Sequence, residues 1–406
     1  DSYKLEAYRS DGSFMWRGDL GWNIVQGVWW SPILVYDLDG DGRAEVVAKT
    51  APTDVDYRNS DGRVLEGPEY FSIFDGETGS ELAREDWIPR GKISDWGDDY
   101  GNRVNRNLIA VAYLDGARPS LAIFRGTYEL MKAEAWNYRD GNLTRIWQWS
   151  HTGGGGFHNI RVGDIDGDGR DEIINGSIAL DDDGSEMWNT KEGHGDRMHL
   201  SDIDPDRPGL ELFAVQEAPR DYEHPVHLRD VRSGEFIWGP TDDSWGDVGR
   251  GMAADINPDN KGLECWGSTG DLFSAKGENL GSRPSSNYFA VWWDDDLLRE
   301  LVEDGSITKF DHNSGKTEKI GSAQEYRYAD RLVADVIGDW REEIFTVPKS
   351  GGELRIYTTT IPSTRRFYTM MHDPVYRLDV ATMGMGYTQC AHPSFYLGEG
   401  MDTPPR

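Results

Sequence analysis

The stretch 164–173, DIDGDGRDEI, carries Asp164, Asp166 and Asp168 at alternate positions and Glu172 four residues later. Carboxylates on alternate residues of a turning loop can all point inward, and Ca²⁺ prefers a shell of oxygen ligands. The two glycines of the stretch supply the backbone freedom that a tight loop needs. The apolar residues that follow are typical of a β-strand. The stretch therefore predicts a short calcium loop that leads into a strand, and a solvated polar turn is the alternative for any single copy.

Related stretches recur along the chain, each followed by a β-rich run. In the copies that begin at Asp202 and Asp255, proline and asparagine replace some of the acidic ligands. The side chains that we expect to bind structural Ca²⁺ in these loops are Asp37, Asp39, Asp41, Glu45, Asp164, Asp166, Asp168, Glu172, Asp202, Asp204, Asp206, Glu211, Asp255, Asn257, Asp259, Glu264, Asp335, Asp339 and Glu343.

The spacing of the copies predicts the architecture. Further units open near Asp115, Asp294 and Asp379, and most neighbouring units lie about 40–50 residues apart, which is the length of a four-stranded propeller blade. Eight units predict an all-β fold, an eight-bladed β-propeller that fills residues 1–406 as a single catalytic domain. The N-terminal hairpin, with its turn at Asp11-Gly12, precedes the first loop, and the last unit lacks an outer hairpin. We therefore expect N- and C-terminal strands to close the ring; a β-sandwich or several β-domains are the alternatives.

The charge balance restricts the partners. The chain has 72 acidic and 42 basic residues, a net charge of -30, which argues against binding to nucleic acid or to an anionic membrane. A polyanionic substrate would need local arginine, lysine or Ca²⁺. No apolar run approaches the ~20 residues of a membrane helix. We expect a monomer. We also expect a secreted or periplasmic bacterial protein, because millimolar extracellular Ca²⁺ suits many loose calcium loops. Whether Cys265 and Cys390 form a disulfide is open.

A histidine-rich set stands beside two of the loops. His158 precedes the Asp164 loop, His194 and Asp196 precede the next one, and Glu217 follows. Two histidines, an aspartate and a glutamate can bind a metal and leave coordination positions open. The alternative is that the histidines cap inner strands.

A basic and aromatic set is the second candidate for a site. Arginine suits recognition of a carboxylate by two parallel hydrogen bonds, although a single arginine is often part of a structural ion pair. Trp29-Trp30 is either a sugar platform or core. The candidate catalytic residues are Arg250, Arg327, Tyr328 and Tyr387, and the candidate substrate contacts are Trp29, Trp30, Asn159, His199 and His392.

Long non-repetitive stretches carry a resemblance to a known family. They include SDWGDDYGNRVNR, GHGDRMHLSDIDPDRPGLELF, DVGRGMAADI and LRIYTTTIPSTRRFYTMMHDPVYRL. With these stretches the chain resembles the rhamnogalacturonan lyases of polysaccharide lyase family 11. The resemblance implies an eight-bladed propeller with several structural Ca²⁺ ions and cleavage of the rhamnose–galacturonate backbone of pectin by β-elimination. It also implies one or two cleft Ca²⁺ ions, one of them held by His158, His194, Asp196 and Glu217, with Arg250 and Tyr387 at the same cleft.

Two cleft stretches differ from the family pattern. AQEYR stands where the family typically has an NNGTK-type loop, so Arg327 replaces an expected lysine, and VWWSP replaces an AHYTQ-type stretch. Arginine is a poor base because it stays protonated. The base could therefore be Tyr328, Tyr387 or a histidine. The rival functions are a lyase for another rhamnose–uronate polymer of the ulvan type, a non-catalytic calcium-dependent glycan-binding propeller, and a glycosidase.

Overall fold

A computed structural model describes residues 2–217, 223–241, 243–323 and 326–402. The chain divides into two compact units, of which the first comprises Asp1–Met187 with Gly384–Gly386 and the second Trp188–Met383 with Tyr387–Arg406. In both units each sheet is a meander in which every strand pairs antiparallel with the next strand along the chain.

The first unit holds a two-stranded sheet, β1–β2, and the four-stranded sheets β3–β6, β7–β10 and β11–β14, the last strand of which spans the division between the units. The strands are β1 (Tyr3–Tyr8), β2 (Phe14–Gly21), β3 (Ile33–Tyr36), β4 (Glu45–Thr50), β5 (Tyr70–Asp75), β6 (Glu81–Asp86), β7 (Asn107–Ala112), β8 (Ser120–Arg125), β9 (Leu130–Arg139), β10 (Asn142–Thr152), β11 (Arg161–Gly163), β12 (Glu172–Asn175), β13 (Ile178–Leu180) and β14 (Glu186–Asn189).

The second unit holds the four-stranded sheets β15–β18, β19–β22 and β23–β26 and the three-stranded sheet β27–β29. The strands are β15 (Gly195–Ser201), β16 (Glu211–Gln216), β17 (Val226–Asp230), β18 (Phe236–Trp238), β19 (Gly251–Ala254), β20 (Glu264–Gly267), β21 (Leu272–Phe273), β22 (Asn279–Gly281), β23 (Phe289–Val291), β24 (Glu300–Glu303), β25 (Ser306–Asp311), β26 (Lys316–Ser322), β27 (Tyr326–Ala334), β28 (Glu343–Pro348) and β29 (Arg355–Tyr357). Among the described residues, the second unit has one α-helix, α1 (Pro374–Thr382), and 3₁₀ helices at Asp243–Trp245 and Met370–His372. A further 3₁₀ helix, Ile93–Trp96, lies in the first unit.

The burial of the strands follows from their sequences. The second strand of a sheet typically carries an apolar run after an initial glutamate, such as LFAV within ELFAVQ of β16, and all six residues of β16 are buried. An outer strand such as β26, KTEKIGS, is almost entirely exposed. A strand that is covered on both faces needs side chains that can be buried on both faces, which the unbroken apolar runs provide.

A tryptophan on an outer strand fastens several sheets to the next turn. Trp188 on β14 donates its indole N–H to the carbonyl of Val231 at 2.8 Å. Its ring lies against Gly234, where an added Cβ would be 2.8 Å from the ring. The same pairing of an indole with a turn carbonyl and a turn glycine occurs for Trp16 with Gly76 and Gly79, Trp147 with Asp182 and Gly184, and Trp238 with Ala275 and Gly277.

The prediction of an all-β fold is correct, whereas the prediction of eight blades is wrong. The described residues form seven blade-type sheets of three or four strands. The sequence predicts the start of the eighth unit near Asp379, but Asp379 lies inside helix α1. Asp373 caps this helix by accepting a hydrogen bond from the backbone N–H of Tyr376, and Pro374 occupies the first turn. The Asp-Pro pair is a helix start signal that overrides the weak resemblance of this segment to a loop.

The predicted ring closure by terminal strands is also wrong. Strand β1 pairs with β2 alone in a two-stranded sheet, and the described residues 358–402 contain no strand. Cys265 and Cys390 are both buried free thiols. Within the described ranges, no helix has the length and apolar character needed to cross a membrane.

The contact between Trp188 and Gly234 can be tested with a matched pair of turns. Gly234 and Gly315 end the similar turns DVRSG and DHNSG, with φ values of 70° and 67°, but an added Cβ would meet no atom within 4 Å at Gly315. We expect Gly315→Ala to cost about 1–2 kcal/mol through backbone strain. Gly234→Ala should cost about 1–3 kcal/mol more, because the Cβ also displaces the indole ring. Chemical denaturation measures both, and equal losses would contradict the fastening role of Trp188.

Candidate functional site

The second unit brings three of the predicted metal ligands together. His194 and Asp196 lie at the start of β15, and Glu217 follows β16, so adjacent antiparallel strands present all three. One ligand atom from each lies within 4.8 Å of the others. His194 Nε2 is 2.7 Å from Glu217 Oε2 and 3.9 Å from Asp196 Oδ1. An imidazole and two carboxylates at this spacing could hold a divalent cation.

Arg250 extends this cluster toward Tyr387. Its Nη1 lies 3.0 Å from Asp196 Oδ2, and its guanidinium carbon lies 3.7 Å from the centre of the Tyr387 ring. The ring of Tyr288, which the sequence did not suggest, faces the same guanidinium at 5.7 Å. The cation is thus held between a carboxylate and two aromatic rings, a geometry that fixes its direction.

The absence of a side chain at Gly249 leaves room for two carboxylates beside Arg250. Its φ is 58°, and an added Cβ would lie 2.9 Å from Asp247 Oδ1 and 3.2 Å from Asp196 Oδ2. Burial raises the pKa of Asp196 to about 7, against the lowering influence of His194 and Arg250, and burial also raises the pKa of Asp247. Asp247 was not predicted; its position in DVGRG, three residues before Arg250, was the available signal. Buried carboxylates with raised pKa values gather where a cation can stabilise their charged forms.

Two predicted substrate contacts of the second unit are fully buried. His199 Nδ1 lies 2.9 Å from His392 Nε2, and His199 Nε2 lies 3.1 Å from the carbonyl of Gly251. On the same face of β15, the buried side chain of Arg197 donates to the carbonyls of Tyr288 and Thr388. These contacts position the backbone beside two of the rings that face Arg250.

The first unit holds the other predicted cleft residues. His158 is buried, and its Nε2 lies 3.1 Å from the hydroxyl of Tyr128. Asn159 is buried. Trp29 and Trp30 are half-buried and pack edge to face, with ring centres 5.4 Å apart.

The other two catalytic candidates are neighbours in the sequence AQEYRY. Arg327 and Tyr328 lie on strand β27, and their side chains are outside the described residues.

The acidic loops share one backbone contact. Each joins the first and second strands of a sheet, and a buried glutamate at the start of the second strand accepts a hydrogen bond from a backbone N–H at the start of the loop. The pairs are Leu38 with Glu45, Ile165 with Glu172, Ile203 with Glu211, Ile256 with Glu264, Trp293 with Glu300 and Val336 with Glu343, with N–O distances of 2.8 to 3.1 Å.

Three of these loops gather carboxylate oxygens within 4.8 Å of one another among the described residues. The groups are Asp37, Asp39 and Asp41; Asp164, Asp166 and Glu172; and Asp294, Asp296 and Glu300. The sequence located a unit at Asp294 but did not mark its side chains as ligands. There, Lys309 Nζ lies 2.6 Å from Asp294, 2.5 Å from Asp296 and 2.9 Å from Glu300. An ammonium group therefore sits where the other loops could place a metal ion.

In the other three loops, at least one predicted ligand is engaged by a protein group. Asp206 pairs with Lys276 at 2.6 Å and with Lys261 at 3.4 Å. Asp255 accepts hydrogen bonds from the hydroxyl of Tyr396 and the backbone N–H of Glu399. Asp339 pairs with Arg341 at 2.7 Å. Of the remaining predicted ligands, Asp168 lies in the Asp164 loop, outside the group gathered there. These three loops hold the others, Asp202, Asp204, Asn257, Asp259 and Asp335, which are in no gathered group.

Several carboxylate oxygens of the acidic loops are suited to binding a cation. Three buried carboxylate oxygens find no hydrogen-bond partner among the residues that the structure describes: Glu172 Oε1, Glu264 Oε1 and Asp255 Oδ1. Burial raises the pKa of Glu172 and of Glu211 to about 8 and that of Asp255 to about 7. Buried carboxylates without a proton or a partner are costly, and a divalent cation bound by these oxygens would stabilise their ionised forms.

Comparison with known proteins identifies relatives over nearly the whole chain. A family model described as rhamnogalacturonan lyase family 11, C-terminal domain, matches residues 2–406. Rhamnogalacturonan endolyase YesW of Bacillus subtilis is 46% identical over 429 aligned residues, which cover 99% of this chain and 68% of that protein. Rhamnogalacturonan exolyase YesX of the same organism is 44% identical and is covered to 72%.

Solved structures agree with these relatives. The crystal structure of YesW matches with a TM-score of 0.95 over 99% of this chain and 73% of that chain, at 46% identity. A rhamnogalacturonan lyase structure from Bacillus licheniformis matches with a TM-score of 0.93 at 44% identity, with the same coverage of both chains.

The buried loop glutamates predict an unusual pH dependence. Because the folded-state pKa of Glu172 is raised from 4.5 to about 8, the unfolded chain loses this proton first as the pH rises. Stability of the metal-free protein should therefore fall between about pH 4.5 and 8. We expect the melting temperature in chelator to drop by roughly 5 °C or more from pH 5 to 8. Added Ca²⁺ should reduce the drop, and a flat profile in chelator would contradict this account.

Glu172→Gln isolates one carboxylate in that experiment. The amide keeps the acceptor for Ile165 but cannot ionise, so at pH 8 the variant should be more stable than the wild type in chelator and less stable in Ca²⁺. The exposed Glu318 on β26 offers a control, because Glu318→Gln should shift neither melting temperature.

Lys309→Met tests whether the ammonium replaces a metal ion. The substitution leaves two aspartates and Glu300 together without their cation, so the melting temperature in chelator should fall. Added Ca²⁺ should then stabilise the variant more than it stabilises the wild type. Lys319, exposed on the same hairpin, provides the matched control Lys319→Met. An equal response to Ca²⁺ in wild type and Lys309→Met would show that the loop does not accept an ion.

Proposed function

Because the chain belongs to family 11 of the rhamnogalacturonan lyases, and is therefore a polysaccharide lyase with an acidic polysaccharide substrate, we propose that Arg250 and its neighbours carry out β-elimination on a galacturonate residue with the help of Ca²⁺. The substrate proposed is the rhamnose–galacturonate backbone of rhamnogalacturonan I, as in pectin. The observation that carries the proposal is the position of Arg250, between the carboxylate of Asp196 and the ring of Tyr387, next to His194 and Glu217.

The difficult step is loss of the C5 proton of galacturonate, because the electrons left behind spread onto the C6 carboxylate. A guanidinium can pair with that carboxylate through two parallel hydrogen bonds and stabilise the charge that grows on it. Arg250 is one-fifth exposed, so it can reach a substrate while Asp196 and the rings hold its direction. A fixed cation acts on developing charge without first having to reorganise.

The ion would strengthen the same effect. His194, Asp196 and Glu217 would hold Ca²⁺, which would supply Lewis-acid polarisation of the galacturonate carboxylate. Hard oxygen ligands suit Ca²⁺, and the raised pKa of Asp196 reflects a buried carboxylate whose charged form a cation would favour. An imidazole is a less usual ligand for Ca²⁺, so the identity of the bound metal should be measured directly.

Proton transfer needs a group beside Arg250, and we assign it to Tyr387. As a phenolate, its oxygen can accept the C5 proton; as a neutral phenol, it can donate a proton to O4 as the C4–O4 bond breaks and the C4–C5 double bond forms. Negative charge that develops on the ring is stabilised by the guanidinium 3.7 Å away. Arg327, which replaces the lysine of the family pattern in AQEYR, cannot act as a base while it stays protonated, and this supports assigning the role to Tyr387.

Endo action is the mode that we propose. The chain carries no large insertion before 247–251, DVGRG, that could close one end of a cleft. The relatives include both an endolyase and an exolyase at similar identity, so the sizes of the early products must distinguish endo from exo action. A rapid fall in polymer length supports endo action, and release of only short products from the first minutes opposes it. We also propose an extracytoplasmic location, where Ca²⁺ is abundant.

Other uronate-binding functions make different products. A lyase for ulvan-type polymers would act on those polymers and not on rhamnogalacturonan, a glycan-binding propeller would bind without cleavage, and a glycosidase would release saturated ends. A panel of uronic-acid polysaccharides, assayed with and without chelator for the absorbance of unsaturated uronate, separates them. We expect product from rhamnogalacturonan, loss of activity in chelator and recovery with Ca²⁺. No unsaturated product from rhamnogalacturonan would refute the proposal.

Tyr387→Phe tests the proton-transfer role apart from packing. The variant keeps the ring under Arg250 but removes the hydroxyl, so kcat should fall about 10²–10⁴-fold with little change in melting temperature. Tyr288→Phe is the matched control, because that ring also faces Arg250, at 5.7 Å, and should retain near wild-type kcat. A normal kcat in Tyr387→Phe would exclude its hydroxyl from the reaction.

A further inference from the structure

Rings and guanidinium groups alternate in a row on the first unit. The members of this Arg–aromatic row are, in order, Tyr100, Arg63, Trp30, Arg106, Tyr128 and Arg103. The guanidinium carbon of Arg63 lies 6.0 Å from the centre of Tyr100 and 4.7 Å from that of Trp30. Arg106 lies 5.2 Å from Trp30 and 5.9 Å from Tyr128, and Arg103 lies 4.4 Å from Tyr128.

Two charges of the row have no acidic partner among the described residues, although the chain is strongly acidic. No carboxylate of the described residues lies within 4.0 Å of the guanidinium of Arg63 or Arg103, although the net charge is -30. Arg63 Nη1 is buried and has no hydrogen-bond partner within the described ranges. The nearby carboxylate of Asp98 accepts instead from the backbone N–H groups of Gly101 and Arg103. Unpaired guanidinium groups in a chain of this charge are places where an external anion can bind.

Elsewhere on the same unit, arginines over rings do have acidic partners. Arg84 lies over Tyr70 and pairs with Glu81 at 2.8 Å, and Arg58 lies over Trp22 and pairs with Asp56 at 2.9 Å. Packing against a ring therefore does not by itself exclude a carboxylate. The lack of one at Arg63 and Arg103 is a property of the row.

The backbone around the row is fixed by buried amides. Asn105 donates to the carbonyls of Val64 and Gly101, and Asn107 donates to the carbonyl of Trp30. The indole of Trp30 donates to the carbonyl of Asn102 at 3.3 Å. The segments that carry the row are thus held together before any ligand arrives, which lowers the entropy cost of binding.

We propose that the Arg–aromatic row is a subsite for uronate residues of the polysaccharide, in which Arg63 and Arg103 bind carboxylates and the exposed ring of Tyr100 and the half-buried ring of Trp30 contact sugar rings. The identity of the polymer rests on the proposed function. Guanidinium groups bind carboxylates through two parallel hydrogen bonds, and amphipathic rings cover the apolar faces of sugars. Tyr100 is 55% exposed, so its ring is available to a ligand. The competing view is that the rings only shield the arginines within the fold.

Binding to two forms of one polymer tests the subsite. Calorimetry would compare rhamnogalacturonan oligosaccharides with the same oligosaccharides after reduction of their carboxyl groups. In the double variant Arg63→Gln/Arg103→Gln we expect the dissociation constant for the acidic form to rise at least about tenfold, as for loss of a charge-assisted hydrogen bond. Binding of the neutral form should be unchanged. Equal losses for both forms, or no loss for either, would overturn the proposal.

Two further variants guard against a folding defect. Arg84→Gln is the matched control, since Arg84 also lies over a ring but pairs with Glu81, and its dissociation constants should equal those of the wild type. Tyr100→Ala removes an exposed ring and should weaken both forms alike if sugars stack there. If the double variant fails to fold, unchanged binding by Tyr100→Ala refutes the subsite.

The outcome is distinguishable from failure of the proposed function. If no unsaturated product forms but the acidic form binds in an arginine-dependent way, the lyase proposal fails and the subsite stands. If product forms and the arginine variants keep the wild-type KM, the subsite fails and the lyase proposal stands. A raised KM at unchanged kcat is the result expected when both hold.

Discussion

A buried glutamate that needs a positive charge is the constraint on which these sheets depend. The same carboxylate oxygen accepts a backbone N–H at the entrance of six loops, from Glu45 to Glu343. That hydrogen bond fixes the loop against its strand, yet it leaves a second oxygen to be stabilised. For Glu300 the chain supplies Lys309, whereas for Glu172 the second oxygen has no partner. For Glu300 the positive charge is a tethered ammonium, and for Glu172 we propose an external cation, so the two sheets are predicted to respond differently to chelation.

The sheets are joined by a second device that uses glycine. An indole on one outer strand donates to a carbonyl of the following turn, and the turn brings a glycine with positive φ against the ring. The indole and the glycine depend on each other. A side chain on Gly234 would displace Trp188, and without the ring the positive φ of the turn would be the remaining reason for a glycine. The wealth of tryptophan and glycine in this chain is thus explained by packing at least as much as by sugar binding.

Local sequence carried most of the fold, since each Asp-rich loop and its strand lie within a dozen residues. The sequence-based predictions failed where a competing local signal or a residue distant in sequence determines the structure. Asp379 resembled the start of another unit, but Asp373-Pro374 begins a helix there. Lys309 lies beyond a strand and a turn from the aspartates that it neutralises, and no spacing rule would pair them. The stacking of Arg250 on Tyr387 joins positions far apart in sequence, so only the folded chain reveals it.

The electrostatics of an acidic enzyme with an acidic substrate explain why its arginines are surrounded by rings. A guanidinium left beside carboxylates would be neutralised by the protein itself, and an exposed one would be weakened by water. Aromatic faces attract the cation without cancelling its net charge, so the cation remains available to an incoming uronate. At Arg250 one carboxylate is retained, and it fixes the direction of the guanidinium. At Arg63 and Arg103 no carboxylate from the described part of the chain is within ion-pair distance. On this view the first arrangement suits a reacting carboxylate whose position must be exact to within an ångström, and the second suits carboxylates that need only be held.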